Sequence, residues 1–377
     1  MKKHLRTWIE INQSALKNNY NQFRRLIGKT CRLMAVVKSN AYGHSLIDFS
    51  VLAEKLGVDW FGVDSIVEAE SLRMAGIKKP ILVLGYTLQD KINDALNNNI
   101  SLTIADIQTL KNLKNIVGRG NKLKIHLEID TGMHRQGFFV SEIPEVIKIL
   151  KSQKSILIIE GVYTHFSSAK NPAFPATTFD QIENFKKAIN LLESAGFVGL
   201  IKHAAATAGT IIFPQSHFDL VRVGIGLYGQ WPSKETKEVF KDKIKLEPVL
   251  SWKTIVSQIK KLPNGNKIGY DLTEAVNRPT KVAILPIGYW HGFPRILSSV
   301  GRVLINGAEA KILGRVSMGM ISVDITDIKN AKLGDEVVLL GKSEKLSKSA
   351  DDLACLSDTT NYEIITRINP LIKRVIV

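Results

Sequence analysis

Through the first two-thirds of the chain, short apolar runs alternate with longer stretches whose apolar residues recur at helical spacing. The runs lie at 33–37, 60–63, 81–84, 101–104, 124–129, 156–164, 201–205 and 219–221. Between them, amphipathic stretches at 45–56, 66–75, 107–116, 141–150 and 179–195 place apolar side chains on one face. Eight strands separated by helices predict an α/β fold of the (β/α)8 type, a TIM-like barrel. A doubly wound sheet is the runner-up. No glycine-rich dinucleotide turn follows the first strand, and the Gly224-Ile225-Gly226 segment is a weak signal by itself.

The texture changes after residue 230. The polar, lysine-rich stretch 230–248 reads as a linker. Beyond it, β-branched apolar runs at 249–262, 280–287, 302–305, 310–316, 321–325 and 336–340 are separated by turns such as Asn264-Gly265, Asn306-Gly307 and Leu333-Gly334-Asp335. This is hairpin chemistry, interrupted by one short helix near 347–355. The expected organisation is therefore a barrel over 1–240 and a mostly-β C-terminal domain over 241–377.

Composition narrows the functional classes. The 377 residues are 45% hydrophobic and 23% charged, ordinary values for a globular protein. No apolar run is long enough to span a bilayer. The basic start Met1-Lys2-Lys3 runs into Trp8-Ile9-Glu10-Ile11 without an apolar signal core, so the expectation is a cytoplasmic protein that binds no membrane. Two cysteines, Cys31 and Cys355, form no metal-ligand spacing and no disulfide framework. The net charge of +16 invites a nucleic-acid reading, but the lysines are scattered singly and no aromatic-interleaved basic motif occurs. A solvated surface that also attracts small anions accounts for them.

The chemistry gathers just beyond the barrel strands, where a barrel carries its active site. The first strand ends in Ala35-Val36-Val37-Lys38-Ser39-Asn40-Ala41-Tyr42-Gly43-His44. A lysine at a buried strand end is costly unless its charge is used, and a partly desolvated one readily attacks a carbonyl. The fifth strand leads to Glu128, Asp130 and Arg135, and the sixth to His165. The seventh leads to His203 and Thr207, and the eighth carries Arg222 and then Gly224-Ile225. Barrels often hold phosphate on backbone N–H groups after their last two strands. A reactive lysine facing such a cradle is what a pyridoxal phosphate site needs.

With these residues in view, the chain resembles alanine racemases, the two-domain, fold-type-III family of pyridoxal-phosphate enzymes. The resemblance covers nearly the whole length. It rests on the Lys38 decapeptide, Asp-Thr-Gly-Met-His-Arg at 130–135, Tyr-Thr-His-Phe at 163–166 and Asp-Leu-Val-Arg-Val-Gly-Ile at 219–225. Ile-Gly-Tyr at 268–270, Gly-Arg-Val-Ser-Met at 314–318 and Asn-Tyr-Glu at 361–363 complete it, in family order. The resemblance implies that Lys38 binds the aldehyde of pyridoxal 5'-phosphate and serves as one catalytic base. It implies that Tyr270, contributed across a homodimer with shared active sites, serves as the other. Tyr42, Thr207, Gly224, Ile225 and Tyr362 would hold the phosphate. Arg222, supported by His165, would face the pyridine nitrogen. Arg135 and the Met318 backbone would hold the substrate carboxylate, with Tyr289 and Arg295 along the entry. No metal is implied. The implied activity is interconversion of L- and D-alanine, which supplies D-alanine for cell-wall peptides.

Several positions depart from the family pattern. Glu128 stands where a carbamylated lysine is common, Gly319 where an aspartate follows the methionine, Ala206 where asparagine is usual, and Trp290-His291 where Ala-Asp is usual. Glu128 would supply an anionic charge toward Arg135 without modification. The others bear on which side chain the enzyme accepts, so a serine or broad-specificity racemase is the alternative. A fold-type-III decarboxylase would carry an acid in place of Arg222. A non-catalytic cofactor-binding barrel would have no use for a β domain bearing Tyr270.

Overall fold

The computed structural model describes residues 4–118, 120 and 122–377; residues 1–3, part of the basic start discussed above, lie outside the described set. The chain forms two compact units. Among the described residues, one lies within 15–41 and 46–247, the other within 4–14, 42–45 and 248–377.

The first strand, β1 (Thr7–Ile11), belongs to the second of these units. The barrel unit carries β2 (Arg32–Val36), β3 (Trp60–Val63), β4 (Ile81–Val83), β5 (Ser101–Ile104), β6 (Leu123–Asp130), β7 (Leu157–Tyr163), β8 (Ile201–His203) and β9 (Leu220–Val223). All eight expected strands form, within two residues at their ends. They pair in parallel in the order β9-β2-β3-β4-β5-β6-β7-β8. Backbone bonds from Asp219 N to the Lys202 carbonyl (3.0 Å) and from Arg222 N to the Ala205 carbonyl (2.9 Å) bring β8 to β9. The sheet is thus a nearly closed eight-strand barrel. Its interior includes a layer of Met34, Trp60, Leu82 and Leu220, as expected for strands buried on both faces.

The five expected helices form at Leu46–Leu56, Ile66–Met74, Ile107–Ile116, Ile143–Ser152 and Ala176–Ser194. Side-chain caps start two of them: Ser65 accepts from Glu68 N, and Asp106 from Thr109 N. Further helices beyond these five include Ile92–Asn97 and Thr207–Ile212, and two more that bear on the argument. Gln13–Ile27 buries Leu16, Phe23 and Ile27 along one face. Lys234–Phe240 lies inside the stretch read as a linker, where Ser233 caps Thr236 N and nucleates a turn.

The β unit contains β10 (Leu250–Ile255), β11 (Gln258–Leu262), β12 (Thr280–Leu285), β13 (Arg302–Ile305), β14 (Ala308–Leu313), β15 (Ile321–Asp324), β16 (Glu336–Ser343) and β17 (Lys373–Ile376). Their order is β11-β12-β15-β14-β13-β16-β10-β1-β17, with β1 antiparallel to β10 and parallel to β17. The β13–β14 hairpin turns on Asn306-Gly307, at φ 48° and 72°, the left-handed pair that a two-residue loop demands. Two short helices, Ala350–Leu356 and Asn361–Thr366, stand where one was expected. No helix among the described residues is long and apolar enough to cross a membrane.

Candidate active site

Strand β2 delivers Lys38 just past its carboxyl end. Ser39, Asn40, Ala41 and Tyr42 then adopt left-handed backbone at φ 51–56°. None is glycine, so each costs roughly 1–2 kcal/mol relative to ordinary helix. Such strain persists only where surroundings over-determine it. Here Ala41 N donates to the Val37 carbonyl at 2.8 Å, Leu46 N to Asn40 Oδ1 at 2.8 Å, and Ser39 N to Glu68 Oε1 at 2.7 Å. Within the β unit, the next residue is clamped as well. Arg374 Nη2 donates to the Gly43 carbonyl at 2.9 Å, and a Cβ on Gly43 would fall 2.1 Å from the Ile365 carbonyl oxygen. The Lys38 ammonium sits 2.9 Å from Asp64 Oδ1, and both side chains are exposed enough that solvent screens the pair. The amine is held weakly and can leave this partner.

Arg222 is 3% exposed. Its Nη1 donates to His203 Nδ1 at 3.0 Å and to the His203 carbonyl at 3.1 Å. Its Nη2 donates to the carbonyls of Thr164 (2.7 Å) and Ala204 (3.0 Å) and to His165 Nδ1 (3.2 Å). Nε–H is then the guanidinium donor without a partner among the described residues. The guanidinium lies 5.0 Å above the Tyr163 ring, which stacks on the His203 imidazole. Burial lowers the pKa of Arg222 to about 10, against the raising influence of Tyr163 and Glu128. It therefore remains a cation at neutral pH. Burial, followed by the charges of Arg222, Arg135 and Lys38, pushes His165 down to about 3. A neutral His165 accepts from Arg222 rather than repelling it.

Glu128 is 2% exposed and accepts from the Tyr163 hydroxyl at 2.8 Å and from the Gln136 amide. Its hydrogen bonds thus go to Tyr163 and Gln136, while Arg222 and Arg135 act on it through charge. Burial raises its pKa, against those four lowering influences. Arg135 itself is exposed on the loop after β6. That loop is folded by Asp130, whose Oδ1 accepts from the backbone N–H of Gly132, Met133 and His134 at 2.9–3.0 Å. Burial disfavours the Asp130 charge, but these donors outweigh it and hold the carboxyl below its ordinary value.

At the ends of β8 and β9, Thr207 Oγ1 accepts from Gly224 N at 3.2 Å and Gly226 N at 3.3 Å. With both lone pairs used, its hydroxyl proton is left to donate. Ala206 occupies the N-cap of helix Thr207–Ile212 and offers no side-chain acceptor to the first N–H groups. A Cβ on Gly226 would lie 2.4 Å from the Phe23 ring, so only glycine permits this close approach. The Thr207 hydroxyl and the uncapped N–H groups of this helix are donors that suit a phosphate. The free Nε–H of Arg222 suits an unprotonated ring nitrogen. The residues present fit pyridoxal phosphate.

Two family models cover the chain: the alanine racemase N-terminal domain over residues 11–232 and the C-terminal domain over 249–376. The chain belongs to the alanine racemase family. It is 38% identical to an alanine racemase of Desulforamulus reducens across 98% of each chain. It is also 38% identical to one of Leptospira interrogans across all of this chain and 97% of that one. Among solved structures, an alanine racemase of Clostridium difficile superimposes with a TM-score of 0.92 at 34% identity, over 99% of this chain and 96% of that one. That of Bacillus anthracis with bound L-Ala-P gives 0.94 at 33% identity, over 99% and 95%.

The remaining family motifs lie in the β unit. Tyr270 is 69% exposed and follows Gly269, at φ 74°, on a turn where Asp271 and Leu272 are also left-handed. Tyr362 is half-buried in helix Asn361–Thr366, 6.2 Å from the Tyr42 ring, and burial with its neighbour Tyr42 raises its pKa. The exposed Met318 accepts from Trp290 N through its carbonyl, and Ser317 likewise from Tyr289 N, both at 3.0 Å. Tyr289 and Arg295 line one cavity with Trp290, Thr359 and Arg367. His291, one of the departures, is buried, and its Nδ1 accepts from Gly288 N at 3.1 Å. It shapes the turn that carries Tyr289. His44 is buried too, with Nδ1 3.0 Å from the Tyr42 carbonyl. His126 and Glu160 belong to no motif of the sequence; they lie on β6 and β7 and join the Arg222 cluster. A polar residue in the middle of a barrel strand was the signal available.

Proposed function

We propose that this chain is a pyridoxal-phosphate-dependent alanine racemase acting as a homodimer, with alanine as its amino-acid substrate. The observation that carries the reading is the match to alanine racemases over both domains, in order and nearly end to end. Pyridoxal phosphate, when bound, supplies the electron withdrawal that makes the substrate α-proton acidic. Lys38 binds it and moves the α-proton at Nζ on one face. Tyr270 of the partner subunit moves it at the phenol oxygen on the other, a role consistent with its exposure. Tyr42, Thr207, Gly224, Ile225 and Tyr362 bind the phosphate. Arg135 and the Met318 backbone orient the substrate carboxylate. Arg222, held by His165, would face the ring nitrogen. An arginine keeps its proton, so it would leave the ring nitrogen unprotonated and disfavour side reactions that need a stronger electron sink. The barrel unit is read as the cofactor domain and the β unit as the domain that supplies the second base.

A broader side-chain range is supported by Gly319, where the family commonly carries aspartate and where a Cβ would meet nothing within 4 Å. We place the enzyme in the cytoplasm, supplying D-alanine for cell-wall peptides. Circular dichroism over a panel of L-amino acids tests the activity. L-alanine should lose its optical signal fastest. Lys38→Ala should abolish both racemisation and the visible absorbance of bound cofactor. Carbon dioxide release instead of inversion, or an active Lys38→Ala enzyme, would reject the proposal.

A further inference from the structure

Behind Arg222 a chain of polar side chains runs from the fully buried His203 and His126 to the half-buried Glu160. His203 Nδ1 accepts from Arg222 Nη1 at 3.0 Å, and its Nε2 lies 2.9 Å from His126 Nδ1. His126 Nε2 in turn lies 3.5 Å from Glu160 Oε2. That last distance is at the edge of hydrogen-bond reach, so the link is chiefly electrostatic. His126 and His203 are fully buried, and burial lowers the pKa of both, so both are neutral.

The direction of this chain is forced. A guanidinium can only donate, so His203 Nδ1 must be the bare nitrogen and Nε2 must carry the proton. That proton makes His126 Nδ1 the acceptor and leaves the His126 proton on Nε2, pointing at Glu160. Each imidazole passes one donor onward, from the Arg222 cation to the Glu160 anion. The surroundings fix both rings. Trp60 meets His126 edge-on at 5.4 Å, and Tyr163 stacks on His203 at 4.8 Å. A Cβ on Gly161 would stand 2.4 Å from His126 Nδ1, so glycine there makes room for the ring. Ser101 donates to Glu160 Oε2 at 2.5 Å, and Lys124 lies 4.0 Å away, which keeps that carboxylate charged and in place.

We propose that Glu160, His126 and His203 are positioning residues for Arg222: a directed chain, hydrogen-bonded from Arg222 through His203 to His126 and electrostatic from His126 to Glu160, that balances the buried guanidinium charge and holds its Nε–H toward the cofactor. The proposal rests on the reading that Arg222 faces the cofactor ring. A hydrogen-bond chain in a low-dielectric interior polarises along its length, so loss of the Glu160 charge is felt at Arg222, three groups away.

The test is nitrogen NMR of 15N-histidine-labelled enzyme, with resonances assigned from His126→Gln and His203→Gln. Both imidazoles should be Nε2–H tautomers that do not titrate between pH 6 and 8. Glu160→Gln keeps the shape and removes the charge. It should move the His203 resonances as well as those of His126, shift the visible band of bound cofactor, and lower kcat about tenfold with little change in KM, as loss of outer-shell partners does elsewhere. Should Glu160→Gln fail to fold, Ser101→Ala leaves the charge but removes its donor, and should shift the same resonances the opposite way. An Nδ1–H tautomer at His203, or a Glu160 change felt at His126 alone with an unmoved cofactor band, overturns the proposal. Unaltered protein that binds no cofactor overturns the functional reading instead, and the tautomers would still report whether the chain of bonds exists.

Discussion

Glu128 is the residue at which this chain's chemistry departs furthest from its family's pattern. Burial raises the pKa of this carboxyl, while two neutral donors and two nearby arginines favour its charged form. If its role is to supply negative charge to the arginines, Glu128→Gln removes the charge and keeps the contacts. A hydrogen bond to a charged group is worth about 1–2 kcal/mol more than to a neutral one, which translates to about a tenfold loss of kcat/KM for L-alanine. Added bicarbonate should change neither enzyme, since no lysine stands there to be carbamylated. Steady-state kinetics with and without bicarbonate check both points, and unchanged rates in the variant would end the charge role. At this scale the motif residues were legible because they sit beside glycines and turn residues at strand ends. Glu128's partners were not. A sequence gives its approach to Arg135 as a possibility, but the hydrogen bonds to Tyr163 and Gln136 depend on how β6, β7 and the following loop pack.

The turn after β2 is the element that aims Lys38, and it runs against backbone preference at four successive residues. Asn40 is the residue there best suited to left-handed backbone, and its side chain also starts helix Leu46–Leu56 by accepting from Leu46 N. Asn40→Ala should therefore cost about 2 kcal/mol, from a lost acceptor and a poorer left-handed residue. Asn40→Gly loses the acceptor but relieves the backbone, and should cost less. Urea unfolding of the three proteins decides it. Equal stability of the alanine and glycine variants would mean that the turn stores no strain. The apolar periodicity made all eight barrel strands legible, because each is a short buried run. It did not reveal the partner of β1. That strand pairs with β10 and β17 across more than two hundred residues, and no local pattern encodes so distant a pairing. His126 and Glu160 were hidden for a related reason. Inside an eight-strand barrel a polar side chain on one strand is satisfied only by its neighbours on others, and register is a property of the assembled sheet.

For the whole molecule, the buried imidazoles set a pH dependence with a definite sign. His126, His165, His203, His217 and His291 all have pKa values pushed below the ordinary histidine range, with burial the largest cause in each. In the unfolded chain they titrate near 6.5. Below that pH the unfolded state binds protons that the folded state refuses, so stability falls as pH falls. For His165 the loss continues until about pH 3, where the folded state takes the proton too. Glu128 works the other way, since its raised pKa lets the folded state hold an extra proton above the unfolded carboxyl value, but it is one group against five. Asp130, Glu160 and Glu274, all lowered, add to the acid loss only below the unfolded carboxylate range, near pH 4. The excess of positive charge acts in the same sense, since protonation adds to a formal +16. Between pH 7 and 5 the urea midpoint, measured at one protein concentration, should therefore drop, with a slope that corresponds to more than one proton taken up on unfolding. His203→Asn should flatten that slope while lowering stability at pH 7. A midpoint that holds steady or rises on acidification through this window would mean that these histidines are charged or solvated in the folded protein, and the neutral chain behind Arg222 would lose its footing with them.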